Sequence, residues 1–348
     1  MSVPAREIPE KQQPPMTKST LAAMPASNKA VVHAFDHSSF DPATLAVNGD
    51  IEALRALLVP NASPRIADFS PFLSLAAMNG HADCVALLIP FSDPRHNESL
   101  ALLEAARCGH AGCVGLLLAA ADHGPDAELA LLVSARNGHA ECLRLLAPVC
   151  TRPNTCSLAL RMAAEAGHAA CVKLLIPFSD PSFDHFKPIL DASRRGHTEC
   201  VRLLAPASNK EALSGALISA SRAGHLDCVK LLIPISDPKA NESSALVAAA
   251  AFGHVDCVRE LLPVSTPLVD DQSPPRVALE RGHAEAFSAM VSHEPRLLGL
   301  LALQDHLSRA SELGRHDLAA LLASLIESQA LSASTRSMDP IARNAPRL

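Results

Sequence analysis

The chain has 348 residues, of which 48% are apolar and 19% charged, and its formal net charge is −6. This apolar content is enough for a buried core and excludes a wholly disordered chain. The chain has no Trp or Tyr and only ten Phe, which argues against aromatic platforms for bases. The negative charge argues against general attraction to nucleic acid or acidic membranes. No apolar run is long enough for a transmembrane helix, and the first twenty residues lack the apolar core of a Sec signal peptide.

Residues 1–40 precede any clear periodic pattern. They are rich in Pro, Ser, Lys and Gln, a composition typical of disorder. The last residues of the chain read similarly. We therefore expect a disordered N-terminal tail over 1–40, a folded region over 41–327, and a disordered C-terminal tail over 328–348.

The folded region is an internal repeat of 28 or 29 residues. Its marker is the dipeptide Gly-His, which begins at Gly80, Gly109, Gly138, Gly167, Gly196, Gly224, Gly253 and Gly282. A weaker copy precedes these at Gly49, and another follows near Gly314. About ten repeats of this length are typical of a solenoid, in which each unit packs only on its neighbours.

Each repeat predicts two short helices joined at the glycine. Apolar residues recur seven, four and three positions before the Gly and again four, five and eight positions after it. These spacings describe one face of a helix on either side. The Gly allows the positive φ of a tight turn. A proline ten positions later, as at Pro90, ends the second helix, and Ser-Asp-Pro, as at 92–94, predicts the next turn.

The strings AARCGHAGCVGLLL (105–118) and AAEAGHAACVKLL (163–175) resemble the core of the ankyrin repeat. The resemblance implies an all-α fold, an α-solenoid of about ten stacked helical-hairpin repeats. Two features depart from the family pattern. The period is shorter than the usual ~33 residues, and the Thr-Pro-Leu-His opening is missing. Because the missing residues fall where ankyrin repeats carry a projecting β-hairpin finger, we expect reduced fingers.

Seven repeats carry His-x-x-Cys, the first at His81 and Cys84, and both residue types bind zinc. Each repeat offers only two ligands, however, and helices ~8–10 Å apart cannot bring four donors to one ion. The resemblance instead implies a buried packing position for the Cys and a loop-tying role for the His. We expect no metal site and no disulfides between repeats. For Cys150 and Cys156, which share a loop, we expect free thiols, with a disulfide as the alternative.

No motif for catalysis or for a cofactor is present: the chain has no GxSxG, HExxH, Walker A or GxGxxG string. A residue repeated in every unit is poor evidence for catalysis, because an active site needs unlike residues that converge. We expect no enzyme activity and no cofactor.

The candidate partner-binding residues follow from the resemblance. In ankyrin proteins the two residues before the Gly end the first helix and face the concave groove that binds partners. The residues selected here are Arg107, Arg136, Arg194, Arg195, Arg222 and Phe252, together with Phe183 and Phe186 in the loop upstream. Two explanations stay open. The row is a basic surface with aromatic anchors, or Arg suits a helix C-terminus and the Phe pair fills a gap under its loop.

The expected function is that of a protein-binding scaffold that acts as a monomer. Its expected partner is a protein with an acidic segment, and we expect no contact with nucleic acid or membrane. The composition, the near-identical repeats and the Ser- and Pro-rich N-terminus resemble those of ankyrin proteins and type III effectors of bacteria that live with eukaryotic hosts. We therefore expect a cytoplasmic protein, or one secreted into a host cell without a Sec signal peptide. The alternative is an ordinary intracellular scaffold that is not exported.

Overall fold

The computed structural model describes residues 41–58, 68–266 and 273–337. The N-terminal tail predicted at 1–40 lies outside these residues. The chain divides into two compact units, Met1–Arg152 and Pro153–Leu348. Within the described ranges, every regular element of both units is a helix, so the all-α fold predicted from the repeat is confirmed.

The described part of the first unit consists of four helical hairpins. Their helices are α1 (Pro42–Asn48), α2 (Ile51–Leu57), α3 (Ser70–Met78), α4 (Ala82–Leu88), α5 (His96–Cys108), α6 (Ala111–Ala120), α7 (Pro125–Asn137) and α8 (Ala140–Leu146). The first helices of successive hairpins pack side by side, and so do the second helices. The hairpins of this unit therefore form a stack, as the repeat pattern predicts.

The described part of the second unit consists of six hairpins. Their helices are α9 (Pro153–Ala166), α10 (Ala169–Leu175), α11 (Phe183–Arg195), α12 (Thr198–Leu204), α13 (Lys210–Ala223), α14 (Leu226–Leu232), α15 (Ala240–Ala251), α16 (Val255–Leu261), α17 (Pro274–Arg281), α18 (Ala284–His293), α19 (Leu303–Glu312) and α20 (His316–Ser337). Neighbouring second helices pack on one another through to α20. Helix α20 runs to Ser337, beyond residue 327, where the sequence analysis ends the folded region.

Capping residues set the ends of the helices. The Asp41 carboxylate accepts the N–H of Ala43 at 3.2 Å and caps α1. Gly109 ends α5 with a φ of 83°, in the left-handed conformation that Gly adopts without steric penalty. In the preceding hairpin, Pro90 lies in a short 3₁₀ turn, Ile89–Phe91, that follows α4. At these positions the helices end at the residue types that the sequence pattern indicates.

Three of the loops share an unusual backbone. After each Ser-Asp-Pro turn, three successive non-glycine residues have a positive φ, between 48° and 59°. They are residues 97–99, 184–186 and 241–243. A left-handed conformation costs ~1–2 kcal/mol per residue, so the packing of the hairpins has to offset it. These residues lie at the start of α5, α11 and α15 and form a kink there, and the finger is reduced to a turn in these three repeats.

A serine near the start of the first helix closes a hairpin onto the loop that follows it. The Ser70 hydroxyl accepts the backbone N–H of Asp93 at 2.8 Å. The same bond joins Asp180 to Ser157 at 2.9 Å and Asp237 to Ser214 at 3.0 Å. Because each serine is buried, this bond satisfies a polar group that is otherwise costly to bury.

A histidine side chain joins each of seven hairpins to the one before it. The Nε2–H of His254 donates to the carbonyl oxygen of Arg222 at 3.1 Å. The ring lies against Gly224, where a Cβ would come within 2.5 Å of Nδ1. Six more histidines make the same bond at 2.8–3.1 Å: His81, His110, His139, His197, His225 and His283. The loop-tying role implied for the histidines is confirmed at these positions.

The last hairpin replaces this histidine by an arginine. The Arg315 Nη1 donates to the carbonyl oxygen of Glu280 at 2.9 Å, and its guanidinium covers Gly282. The sequence analysis places the weaker final repeat near Gly314, and Arg315 occupies the position directly after that glycine. The tie therefore persists although the Gly-His pair does not.

Replacing Gly80 by Ala should destabilise the first unit. Gly80 has a φ of 79°, and an added Cβ would lie 2.5 Å from Nδ1 of His110. The left-handed backbone and the displaced ring together predict a loss of at least ~2 kcal/mol in the free energy of unfolding, measured by urea denaturation.

The matched control is Gly112→Ala in the same unit. Gly112 lies inside α6, and its added Cβ would be 3.6 Å from the Cβ of Ala82, an ordinary contact. This variant should be neutral or more stable by up to ~1 kcal/mol, because Ala favours the helix. Equal losses in the two variants would contradict the role of the Gly–His contact.

Candidate functional site

Two surfaces of each unit differ in character. The first-helix face consists of the exposed and half-exposed side chains on the first helices of the hairpins. The second-helix face consists of those on the second helices. The candidate residues that end a first helix all belong to the first-helix face.

The second-helix face carries charge pairs within single helices. In four of these helices an Arg lies 3.1–3.4 Å from a carboxylate three residues earlier. The pairs are Arg55–Glu52, Arg144–Glu141, Arg202–Glu199 and Arg259–Asp256. Exposed pairs of this kind contribute little to stability. They are typical of a surface that faces water.

The first-helix face of the first unit carries a group of apolar side chains. Leu129 is 48% exposed, and further apolar side chains on α3, α5 and α7 are half-buried: Leu75, Met78, Leu100, Leu103 and Leu132. These three helices pack side by side. Apolar side chains grouped on a surface favour contact with another protein. The sequence analysis misses this surface because these positions vary from repeat to repeat.

Arg107 and Arg136 are exposed at the ends of α5 and α7. The Arg107 guanidinium donates to the Glu104 carboxylate at 2.6 and 2.9 Å. These hydrogen bonds raise the pKa of Arg107 above its usual range. Its charge is therefore balanced within its own helix.

Arg194 and Arg195 are exposed in the second unit, and each has a carboxylate partner. Arg194 donates to Asp191 at 2.9 Å, and Arg195 donates to Glu165 of the preceding hairpin at 2.6 Å. Asp191 is buried and also accepts from Arg161 at 3.0 Å. The most basic stretch of the predicted row is therefore a network of paired charges.

Phe183 and Phe186 lie at the opposite end of α11 from Arg194. Eight residues separate Phe186 from Arg194, which corresponds to ~12 Å along a helix. Both Phe side chains are half-buried, and Phe186 has a φ of 59°. The structure therefore does not bring the Phe pair together with the two arginines.

Phe252 is different, since it is 48% exposed at the end of α15. Its ring is nearly parallel to that of His254, with centroids 6.5 Å apart. The Cζ of Arg281 lies 5.5 Å from the ring centroid, a cation–π geometry. Arg222 of the preceding hairpin is exposed, and its carbonyl oxygen accepts from His254. Phe252 and Arg222 therefore belong to neighbouring hairpins that His254 ties together. Arg281, which contacts the ring, is not among the residues predicted from the sequence.

One cluster in the first unit contains the residue types of a catalytic triad. The Ser99 hydroxyl donates to Asp126 at 2.7 Å and lies 2.8 Å from Nδ1 of His123. His123 is buried, and its Nε2 is 2.9 Å from the carbonyl oxygen of Leu117. Because Ser99 is also buried, neither group is presented to a substrate. The cluster closes the loop onto α5.

All ten cysteines are free thiols, and eight of them are buried. Burial raises the pKa of four thiols from 9.0 to about 11: Cys113, Cys171, Cys200 and Cys257. Within the described ranges, no group of three His, Cys, Asp or Glu residues is placed to hold a metal ion. The buried thiols pack as small apolar side chains, as the sequence predicts.

The comparisons with known proteins agree with this architecture. A family model described as ankyrin repeats (3 copies) matches residues 43–129, 131–214, 189–271 and 213–298. The chain belongs to the ankyrin-repeat family. Ankyrin repeats are in general non-catalytic modules for protein–protein interaction.

One similar solved structure is the human ASB11 ankyrin repeat domain. Its sequence is 25% identical, the TM-score is 0.48, and the match covers 56% of this chain and 97% of that one. No curated protein matches the chain. In the part of the chain that the structure describes, no helix has the length and apolar character needed to cross a membrane.

The thiols should divide into two classes of reactivity. Cys108 and Cys150 are partly exposed, whereas the other eight thiols are buried. Burial raises the pKa of six of these eight, which leaves them little reactive thiolate at pH 8. We expect two of the ten thiols to react rapidly with a disulfide reagent in the native protein, and the others only on unfolding. Rapid reaction of Cys171 or Cys200, identified by mass spectrometry, would contradict this burial.

Proposed function

We propose that this chain is a non-catalytic binding protein whose first-helix faces bind a partner protein. The observation that carries the proposal is the group of apolar and aromatic side chains that the first helices leave open to solvent. Leu129 and Phe252 are each 48% exposed. Leu75 and Leu103 are half-buried on the two first helices that precede the helix of Leu129. Side chains of this kind supply most of the energy of protein interfaces.

The first-helix faces of the two units offer different chemistry to a partner. Leu129 and its neighbours offer apolar contact in the first unit, and Arg222 and Arg281 offer positive charge in the second. Arg136 and three further arginines of the row are also candidate contacts. At these three, Arg107, Arg194 and Arg195, an acidic partner would have to compete with a carboxylate that is already bound. The chain acts as a monomer in this proposal, with no nucleic acid or membrane as ligand.

The cellular role we propose is that of a bacterial effector that is translocated into a host cell. Its support is the Ser- and Pro-rich stretch at 1–40 and the near-identical repeats. The alternative is a scaffold that stays in the cell that makes it. The two roles share the same binding surface and differ only in export.

Leu129→Lys should abolish partner capture. Leu129 lies on the first helix of the fourth hairpin, and a charge there removes apolar contact area. The measurement is affinity capture from host-cell extract, with captured proteins quantified by mass spectrometry. We expect at least one protein to be lost from the Leu129→Lys sample by tenfold or more.

Leu145→Lys is the control, because Leu145 lies on the second helix of the same hairpin and is 38% exposed. Its capture profile should equal that of the unchanged protein. If Leu145→Lys lost the same proteins and Leu129→Lys did not, the partner would use the second-helix face and the assignment would be wrong.

Residues 1–40 should direct export if the effector role holds. The test fuses this segment to a reporter enzyme in a bacterium with a type III secretion system and measures reporter activity inside host cells. We expect activity with the segment and none in a strain that lacks the secretion apparatus. If reporter activity inside host cells were equally low with and without the segment, the result would favour the scaffold that is not exported.

A further inference from the structure

The cations on the first-helix faces divide into two groups by their partners. Arg107, Arg194 and Arg195 each contact a carboxylate at 2.6–2.9 Å. Arg222 and Arg281 are exposed, and neither pairs with a carboxylate among the residues that the structure describes. Their charge is therefore available to a ligand.

These two arginines lie at the ends of the two helices that flank the helix of an exposed aromatic residue, Phe252. Arg222, Phe252 and Arg281 end the first helices α13, α15 and α17, which pack in succession. The Arg281 guanidinium lies over the Phe252 ring at 5.5 Å. His254 links Phe252 to the backbone of Arg222. Its ring is nearly parallel to the Phe252 ring, and its Nε2–H donates to the carbonyl oxygen of Arg222.

Glu280, the nearest acidic residue in sequence to Arg281, is already occupied. Its carboxylate accepts from Arg276 at 3.2 Å and its carbonyl accepts from Arg315 at 2.9 Å. The local acid therefore does not neutralise Arg281. In the hairpin of Arg194 and Arg195, by contrast, nearby carboxylates balance both cations.

We propose that Arg222, Phe252 and Arg281 form the recognition site for an acidic segment of a partner protein. This inference rests on the proposed binding function and names the site and the chemistry of its ligand. Charge complementarity selects carboxylates for the two guanidinium groups, which bind them through paired hydrogen bonds. The exposed ring selects an apolar residue between those carboxylates.

The spacing of the helices sets the spacing of the ligand. Neighbouring helices lie ~8–10 Å apart, so the helix ends that carry Arg222 and Arg281 are separated by two such steps, ~16–20 Å. An extended chain advances ~3.3 Å per residue. The segment should therefore carry two carboxylates about five residues apart, with an apolar side chain between them.

The experiment uses the full chain and a series of labelled synthetic peptides. Each peptide is extended, contains a Leu between two Glu, and differs in the number of residues that separate the Glu. Fluorescence anisotropy measures the affinity of each. We expect an optimum near five residues, and at least tenfold weaker binding by Phe252→Ser or by the double variant Arg222→Ala, Arg281→Ala.

Matched controls lie in the same unit. Phe178 is 45% exposed on a 3₁₀ turn, so Phe178→Ser removes an exposed Phe elsewhere. Arg202→Ala with Arg259→Ala removes two arginines from second helices. Both controls should bind the best peptide as the unchanged protein does. Circular dichroism should give the same unfolding midpoint for the Phe252 and Phe178 variants as for the unchanged chain.

Three results would overturn the proposal. The first is a peptide affinity that does not depend on the spacing of the two Glu residues. The second is a loss of affinity in the control variants equal to that in the Phe252 and Arg variants. The third is displacement of the peptide by an oligothymidylate of equal charge, which would indicate a nucleic-acid site. Loss of this site while the Leu129-dependent capture persists would leave the proposed function intact. If the capture assay failed and peptide binding were preserved, the proposed role of the Leu129 surface would be wrong and the recognition site would stand.

Discussion

The bond from a histidine to the carbonyl of the preceding hairpin is the interaction on which the stack of each unit depends. It needs three things at once: a ring at the start of each second helix, a glycine beneath the ring, and a free carbonyl two residues before that glycine. A side chain at the glycine would occupy the space of the ring. The interaction therefore fixes the residue types of the Gly-His pair. It tolerates different repeat lengths, because donor and acceptor are 31 positions apart for His225 and Arg194 and 34 positions apart for His81 and Val47.

The same bond leaves the recognition surface free to vary. The residue that supplies the carbonyl uses only its backbone, so its side chain is not constrained by the tie. At this position the chain carries Met78, Arg107, Glu165 and Arg222, and the tie is retained in every case. The backbone of this residue thus stabilises the stack, while its side chain is available to determine binding specificity. This explains how near-identical repeats present apolar, acidic and basic side chains at the same position.

The sequence predicts the features that repeat and misses those that depend on a single neighbour. Helix pairs, tight turns and buried thiols recur in register, so periodicity is enough to place them. The left-handed residues 97–99 were not predicted, because positive φ normally signals Gly and none is present. The pairing of Arg195 with Glu165 joins residues thirty positions apart, and it depends on side-chain reach rather than on pattern. The exposure of Phe252 likewise depends on small residues around it, which periodicity does not weigh.

The histidine tie also has a direction. Within a unit each hairpin supplies the donor and its predecessor supplies the acceptor, so the bond always points toward the N-terminus. A ribosome makes the N-terminal hairpins first. Each hairpin that emerges therefore meets a carbonyl and a bare glycine already in position, and its own histidine completes the contact. Before its successor arrives, a hairpin leaves this carbonyl and this glycine open to water, which solvates them readily. Growth of the stack in the order of synthesis therefore never leaves the donor of this tie waiting for its acceptor.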